Sequence, residues 1–101
     1  MKIKRLDGRY SARKNYGYEW QVEFRGAEWK KYFSLKAHAN TMFGASDETV
    51  RHYTWREVAA LLKSAPWAYH YEKSYRPMFV YFRTKTEMEQ CVMMFVLTQN
   101  G

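Results

Sequence analysis

Tyr18-Glu19-Trp20-Gln21-Val22-Glu23-Phe24-Arg25 is the stretch that decides the fold. Large apolar side chains fall on every second residue, with polar ones between them. A period of two built from aromatic and β-branched residues is the pattern of a half-buried β-strand. Tyr18, Trp20, Val22 and Phe24 are expected to face a core, and Glu19, Gln21, Glu23 and Arg25 to face outward. Asn15-Tyr16-Gly17 precedes the strand as a turn, since Asn and Gly tolerate positive φ. Gly26-Ala27 forms the next turn. The alternation resumes over residues 29–35, with Trp29, Lys31, Phe33 and Leu35 on one side and Lys30, Tyr32 and Ser34 on the other. With a short strand over residues 8–14, these segments predict a three-stranded antiparallel meander.

Further along, residues 37–43 predict a short helix ended by Gly44. Thr54-Trp55-Arg56-Glu57 is a capping box, a hydroxyl followed three residues later by a carboxylate, and opens a helix that Pro66 closes. Residues 67–73 read as strand or extended loop. Residues 78–83 (Met-Phe-Val-Tyr-Phe-Arg) are apolar on both faces, which predicts a central strand, with Pro77 placed before it where it costs no ladder bond. A second capping box, Thr86-Glu87-Met88-Glu89, predicts a helix to about Val96. Its body, Cys91-Val92-Met93-Met94-Phe95-Val96-Leu97, is apolar all round. The expected fold class is therefore α+β: a three-stranded meander, one or two further strands, and two helices on one face of the sheet, the other face being left free.

The 101 residues fit one domain with a single modest core. Hydrophobic residues are 47% and aromatics 19%, too many for a disordered chain, while mean hydropathy is only −0.69. No run approaches the roughly 18 apolar residues of a membrane span. The N-terminal residues 1–7 lack the apolar core of a secretory signal, and a cytoplasmic location is expected.

Cys91 is the sole cysteine, so no intramolecular disulfide and no multi-thiolate metal site can form. His38, His52 and His70 have no metal-ligand spacing. No phosphate-binding glycine loop and no nucleophile elbow is present. Glu19 and Glu23 share a strand face, a pairing that surface solvation explains. Neither enzymatic activity nor a cofactor or metal is expected.

Charge is the better lead. The net charge is +7. Residues 1–36 hold ten basic residues against four acids, a net of +6, and residues 37–101 hold seven against six, a net of +1. A localised basic surface fits a polyanion, because each cation placed on a phosphate releases condensed counterions. The outward positions of the meander nominate Arg9, Arg13, Lys14, Gln21, Arg25, Lys30 and Tyr32 as nucleic-acid-binding residues, with DNA favoured over RNA. Glu19 and Glu23 fall on that same outward face and oppose phosphate.

Residues 9–26, Arg-Tyr-Ser-Ala-Arg-Lys-Asn-Tyr-Gly-Tyr-Glu-Trp-Gln-Val-Glu-Phe-Arg-Gly, followed by Trp29-Lys30-Lys31-Tyr32-Phe33, resemble the three-stranded sheet of AP2-type and phage-integrase arm-binding domains. The resemblance implies a DNA-reading sheet face, with contacts from Arg9, Arg13, Trp20, Arg25 and Lys31. Side-chain parity alone sets Trp20 and Lys31 inward.

The alternative function is a phage- or mobile-element-encoded inhibitor that docks on a host protein complex. It draws on the wealth of Tyr, Trp, Met and Arg, which dominate protein interfaces. The apolar run over residues 88–97, from Met88 to Leu97, is an expected homodimer surface compatible with either function.

Overall fold

The computed structural model describes residues 1–6, 14, 16–44, 64–70 and 77–99. Four strands form one sheet: β1 (Lys2–Arg5), β2 (Trp20–Phe24), β3 (Trp67–His70) and β4 (Met78–Phe82). A single 3-10 turn (Gly26–Glu28) and two fifteen-residue helices, α1 (Trp29–Phe43) and α2 (Lys85–Gln99), complete the described elements. The fold class is α+β, as the sequence pattern indicates.

The strand order is β1-β2-β4-β3, and every neighbouring pair is antiparallel. β2 and β4 occupy the centre in a register that pairs Trp20 with Phe82, Val22 with Val80 and Phe24 with Met78. Those six side chains lie on one face. Trp67 and Tyr69 extend that face along β3, opposite Phe82 and Val80. Both helices pack there, and the core joins Val22, Phe24, Val80 and Phe82 to Tyr32, Leu35 and Ala39 of α1 and to Met88, Cys91 and Phe95 of α2. Phe24 sits between the helices, with its ring edge-to-face against Tyr32 at 6.2 Å and against Phe95 at 6.1 Å. Four of the five β4 side chains are buried, so the central position expected for residues 78–83 holds.

Three expectations change. Residues 29–35 form the first half of α1, not a third meander strand. The apolar residues that matter are Tyr32, Leu35, Ala39 and Phe43, spaced at three and four, which is helical periodicity. The alternation over 29–35 is an accident of a window that ends before Ala39. The short helix expected at 37–43 is the end of this same element, and Gly44 closes it at φ 94°, donating its N–H to Asn40 O at 3.0 Å. Second, α2 is capped by Thr84, not Thr86. Glu87 N–H donates to Thr84 Oγ1 at 3.2 Å, and the Thr84 hydroxyl donates to Glu87 Oε1 at 3.1 Å. Two Thr-x-x-Glu frames overlap here, and the earlier one lets the helix begin as soon as the chain leaves β4. Third, the far face of the sheet is not free. Leu6, Tyr18, Ala68 and Tyr81 are buried in a second cluster, with Tyr16 and Phe79 against it.

Tyr16 and Tyr18 of that second cluster meet Arg83, at the exit of β4. Its Nε donates to Ala65 O at 2.9 Å and its Nη1 to Tyr16 O at 2.8 Å. Nη2 reaches the Tyr18 hydroxyl at 3.3 Å, and that hydroxyl donates to Ala65 O at 3.0 Å. The guanidinium carbon lies 4.3 Å from the Tyr18 ring centroid. One side chain thus ties the approach to β2, the approach to β3 and the end of β4. Gly17 fits under it at φ 95°, where a Cβ would stand 2.7 Å from Arg83 Nη1.

The expected strand over 8–14 and the expected helix over 54–65, apart from Lys14 and Ser64–Ala65, lie outside the described residues, as do Arg9 and Arg13.

Two outcomes follow for stability. Tyr32 is fully buried while Phe33 is 50% exposed. Tyr32→Ala therefore costs about 3–5 kcal/mol by chemical denaturation, and Phe33→Ala under about 1 kcal/mol. A strand at 29–35 would reverse that order. Gly17→Ala costs about 1–3 kcal/mol, from positive φ and the crowded guanidinium. A Gly17→Ala midpoint equal to the parent's would show that the buckle is not tight.

Candidate nucleic-acid interface

β1 is an edge strand, and all four of its residues, Lys2, Ile3, Lys4 and Arg5, are exposed. Pairing with β2 sets Lys2 opposite Glu23, Ile3 opposite Val22, Lys4 opposite Gln21 and Arg5 opposite Trp20. Alternation then sends Lys2 and Lys4 to the face of the sheet away from the helices, and Ile3 and Arg5 to the helix side. Among the described residues, Lys2, Lys4 and Arg5 have no carboxylate within ion-pair distance. Cations on an edge strand also block pairing with another chain, so their presence serves the monomer too.

Glu28 organises the corner where β1 begins and α1 starts. Its Oε2 accepts from the Met1 amine at 2.8 Å and lies 4.0 Å from Lys31 Nζ, and its Oε1 accepts from the Arg25 N–H at 3.1 Å. A carboxylate just before the first turn of α1 is also favoured by the helix dipole. These contacts hold its carboxyl below its ordinary value of 4.5, the bond from the N-terminal amine being the largest cause. Lys30 stands beside the corner, its Nζ 5.4 Å from the centroid of the half-exposed Trp29 ring.

The other end of β1 meets the start of β2. There Lys14 Nζ donates to Glu19 Oε1 at 3.0 Å, and Glu19 is shifted down by that hydrogen bond first, then by the charge of Lys14 and, more weakly, of Arg5. Arg25 Nε lies 3.5 Å from Glu23 Oε2. All three described acids of the first 36 residues are therefore paired. The basic surface is a strip diluted by carboxylates: eight described cations (Lys2, Lys4, Arg5, Lys14, Arg25, Lys30, Lys31, Lys36) against three described acids. Seven of the eight lie along the β1 edge, the start of β2 or the α1 corner. Lys36 is apart, its Nζ 3.7 Å from the Tyr69 ring centroid at the β3 side.

The nominated residues fare unequally. Lys14 and Arg25 are on the strip, each paired to an acid. Lys30 is exposed on it. Gln21 is half-buried, opposite Lys4 and beside Tyr81 on the far face. Tyr32 is corrected outright: it is a core residue, because a helical turn and not strand parity orients it. Arg9 and Arg13 fall outside the described residues. Lys2, Lys4 and Arg5 are not among the nominated residues, since Lys-Ile-Lys-Arg is too short and too polar to announce a strand. Lys31, set inward by parity, is exposed on α1.

Elsewhere the Cys91 thiol is pushed up to about 12 by burial. No group of three or more His, Cys, Asp or Glu that could hold a metal occurs among the described residues. No described helix is long and apolar enough to cross a membrane. No family model matches the chain, and no curated protein or solved structure matches it.

The carboxylate shifts have a definite sign. A folded pKa below the unfolded one contributes stability that is full above about 4.5 and lost as pH falls through the lowered folded value. The unfolding midpoint is expected to drop as pH falls below about 4.5, and Glu28→Gln to reduce that dependence. An unchanged acid profile in Glu28→Gln would remove the corner from the account. For Cys91 the raised pKa predicts no alkylation of the native protein at about pH 8 and prompt reaction once it unfolds. Native-state labelling at the rate of a free thiol would contradict the burial.

Proposed function

We propose that the chain is a small, non-enzymatic nucleic-acid-binding protein that docks through its N-terminal strand and the adjoining corner of α1. The observation that carries this reading is β1 itself: four consecutive exposed residues, three of them cations unpaired among the described residues. An edge strand rises about 3.3 Å per residue and alternates its side chains, so Lys2 and Lys4 offer cations from one face and Arg5 from the other along a single edge that a phosphodiester backbone can follow. Arg25, Lys30 and Lys31 add cations near the start of β1, and Trp29 adds an exposed aromatic ring for stacking. The carboxylates of Glu19, Glu23 and Glu28 keep the field modest, so the partner is held weakly and with little base discrimination.

Fluorescence anisotropy with a labelled oligonucleotide at several salt concentrations tests this. With about four phosphate contacts, log affinity falls with log salt at a slope of about −3 to −4, a loss of roughly a hundredfold for a fourfold rise in salt. Lys2→Ala, Lys4→Ala and Arg5→Ala together are expected to flatten the slope by about 2 to 3. A triple variant that binds like the parent, or affinity indifferent to salt, would overturn the proposal. Recovery of one defined host protein that survives nuclease treatment, with no oligonucleotide binding, would replace it with the inhibitor reading.

A further inference from the structure

Trp29 and Phe33 stand one turn apart on the first half of α1, and each is 50% exposed. Residues four apart on a helix share a face, so the two rings form one patch. They meet edge-to-face, with centroids 6.3 Å apart and planes crossing at 78°. Phe33 also meets the ring of Tyr32 at 5.4 Å, and Tyr32 is fully buried, so the patch is anchored to the core. Cations border it. Lys30 Nζ lies 5.4 Å from the Trp29 centroid, and Lys36 Nζ lies 5.3 Å from that of Phe33. Lys31 is exposed on the same stretch of helix, and α1 contains no acid. Glu28, just before it, is already engaged by the Met1 amine and Lys31. Folding gains little from two large rings left half in water, since Tyr32, Leu35 and Ala39 supply the buried stripe of α1.

We infer that the nucleic acid this protein binds is single-stranded, with unpaired bases laid on Trp29 and Phe33 and phosphates on Lys30, Lys31 and Lys36. The inference rests on the nucleic-acid reading above and names the form of the polyanion. Rings and lysines select it together. Lysines alone serve any polyanion, duplex or single strand. Rings alone serve any apolar partner. A partner that offers a flat π-face and an anion in every unit satisfies both, and an unpaired nucleotide is such a unit. In a duplex the bases are stacked at about 3.4 Å and present no free face to a ring. The crossed planes add a second constraint. Bases lying on both rings cannot also stack on each other, a splayed geometry open to a flexible single strand and closed to a duplex. Stacking accepts every base, which agrees with the weak base discrimination proposed for the strip. The cations of β1, at the same corner, then meet the backbone as it continues past the rings.

The test compares a labelled oligonucleotide of about a dozen nucleotides, free of self-complementarity, with the same strand annealed to its complement, at one salt concentration. The single strand is expected to bind at least about tenfold tighter. Trp29→Ala and Phe33→Ala are each expected to narrow that gap by about 5- to 10-fold, with circular dichroism unchanged because both rings are half-exposed. Trp29→Phe and Phe33→Tyr keep a ring and are expected to keep most of the gap. Replacing Lys2, Lys4 and Arg5 together weakens both forms alike, so stacking and phosphate contact are read separately. Tryptophan emission is expected to be quenched by the single strand, and less so in Trp29→Phe. A duplex bound as tightly as the single strand, or alanine variants that keep the parent's gap, would overturn the inference and leave the salt-dependent polyanion reading standing. Binding of neither oligonucleotide would overturn both, and assign the aromatic patch to a protein partner.

Discussion

The pairing of β2 with β4 is the constraint from which the rest follows. Val22 opposite Val80 fixes a register in which Trp20, Phe24, Met78 and Phe82 share one face. A slip of one residue would turn that whole set toward the other side of the sheet and bring Gln21 and Glu23 under the helices. Once the register is set, α1 and α2 have one place to bury their stripes, and Phe24 locks both. It also decides that β1, attached to the outer side of β2, is an edge. The exposure of Lys2, Lys4 and Arg5 is thus a consequence of what the centre of the sheet requires.

Opposite effects compete on that edge. On the proposed reading each free cation would add phosphate affinity, whereas Glu19, Glu23 and Glu28 would oppose it. Exposed ion pairs contribute little to stability, at most about 1 kcal/mol each, so Lys14–Glu19 and Arg25–Glu23 are not what holds the fold. The half-buried Arg83 buckle contributes more, since it satisfies two backbone carbonyls and stacks on Tyr18. The strip and the buckle use the same residue type for different ends, and burial separates them.

Much of this was legible in the chain. The alternation at residues 20–24 and the two-sided apolar run at 78–82 gave β2 and β4, because burial on one or both faces writes itself into side-chain period. α1 was not legible within residues 29–35. Its first seven residues satisfy both periods, and only Ala39 and Phe43 break the tie. That single misreading turned Tyr32 outward and Phe33 inward, the reverse of what is found. β1 left no signal because an edge strand exposed along its whole length has no buried face to record. The excess of cations in the first third was plain from composition, but their pairing with Glu19, Glu23 and Glu28 depends on turns that composition does not encode.

The central proposal is that β1 and the α1 corner form the surface a nucleic acid would touch. Backbone amide chemical shifts, followed by NMR as an oligonucleotide is added, map that surface residue by residue. The account predicts saturable shifts at Lys2, Ile3, Lys4 and Arg5, continuing to Arg25 and Lys30, with the outer face of α2 unmoved. Shifts confined to Met93, Met94 and Leu97, or none at β1, would contradict it.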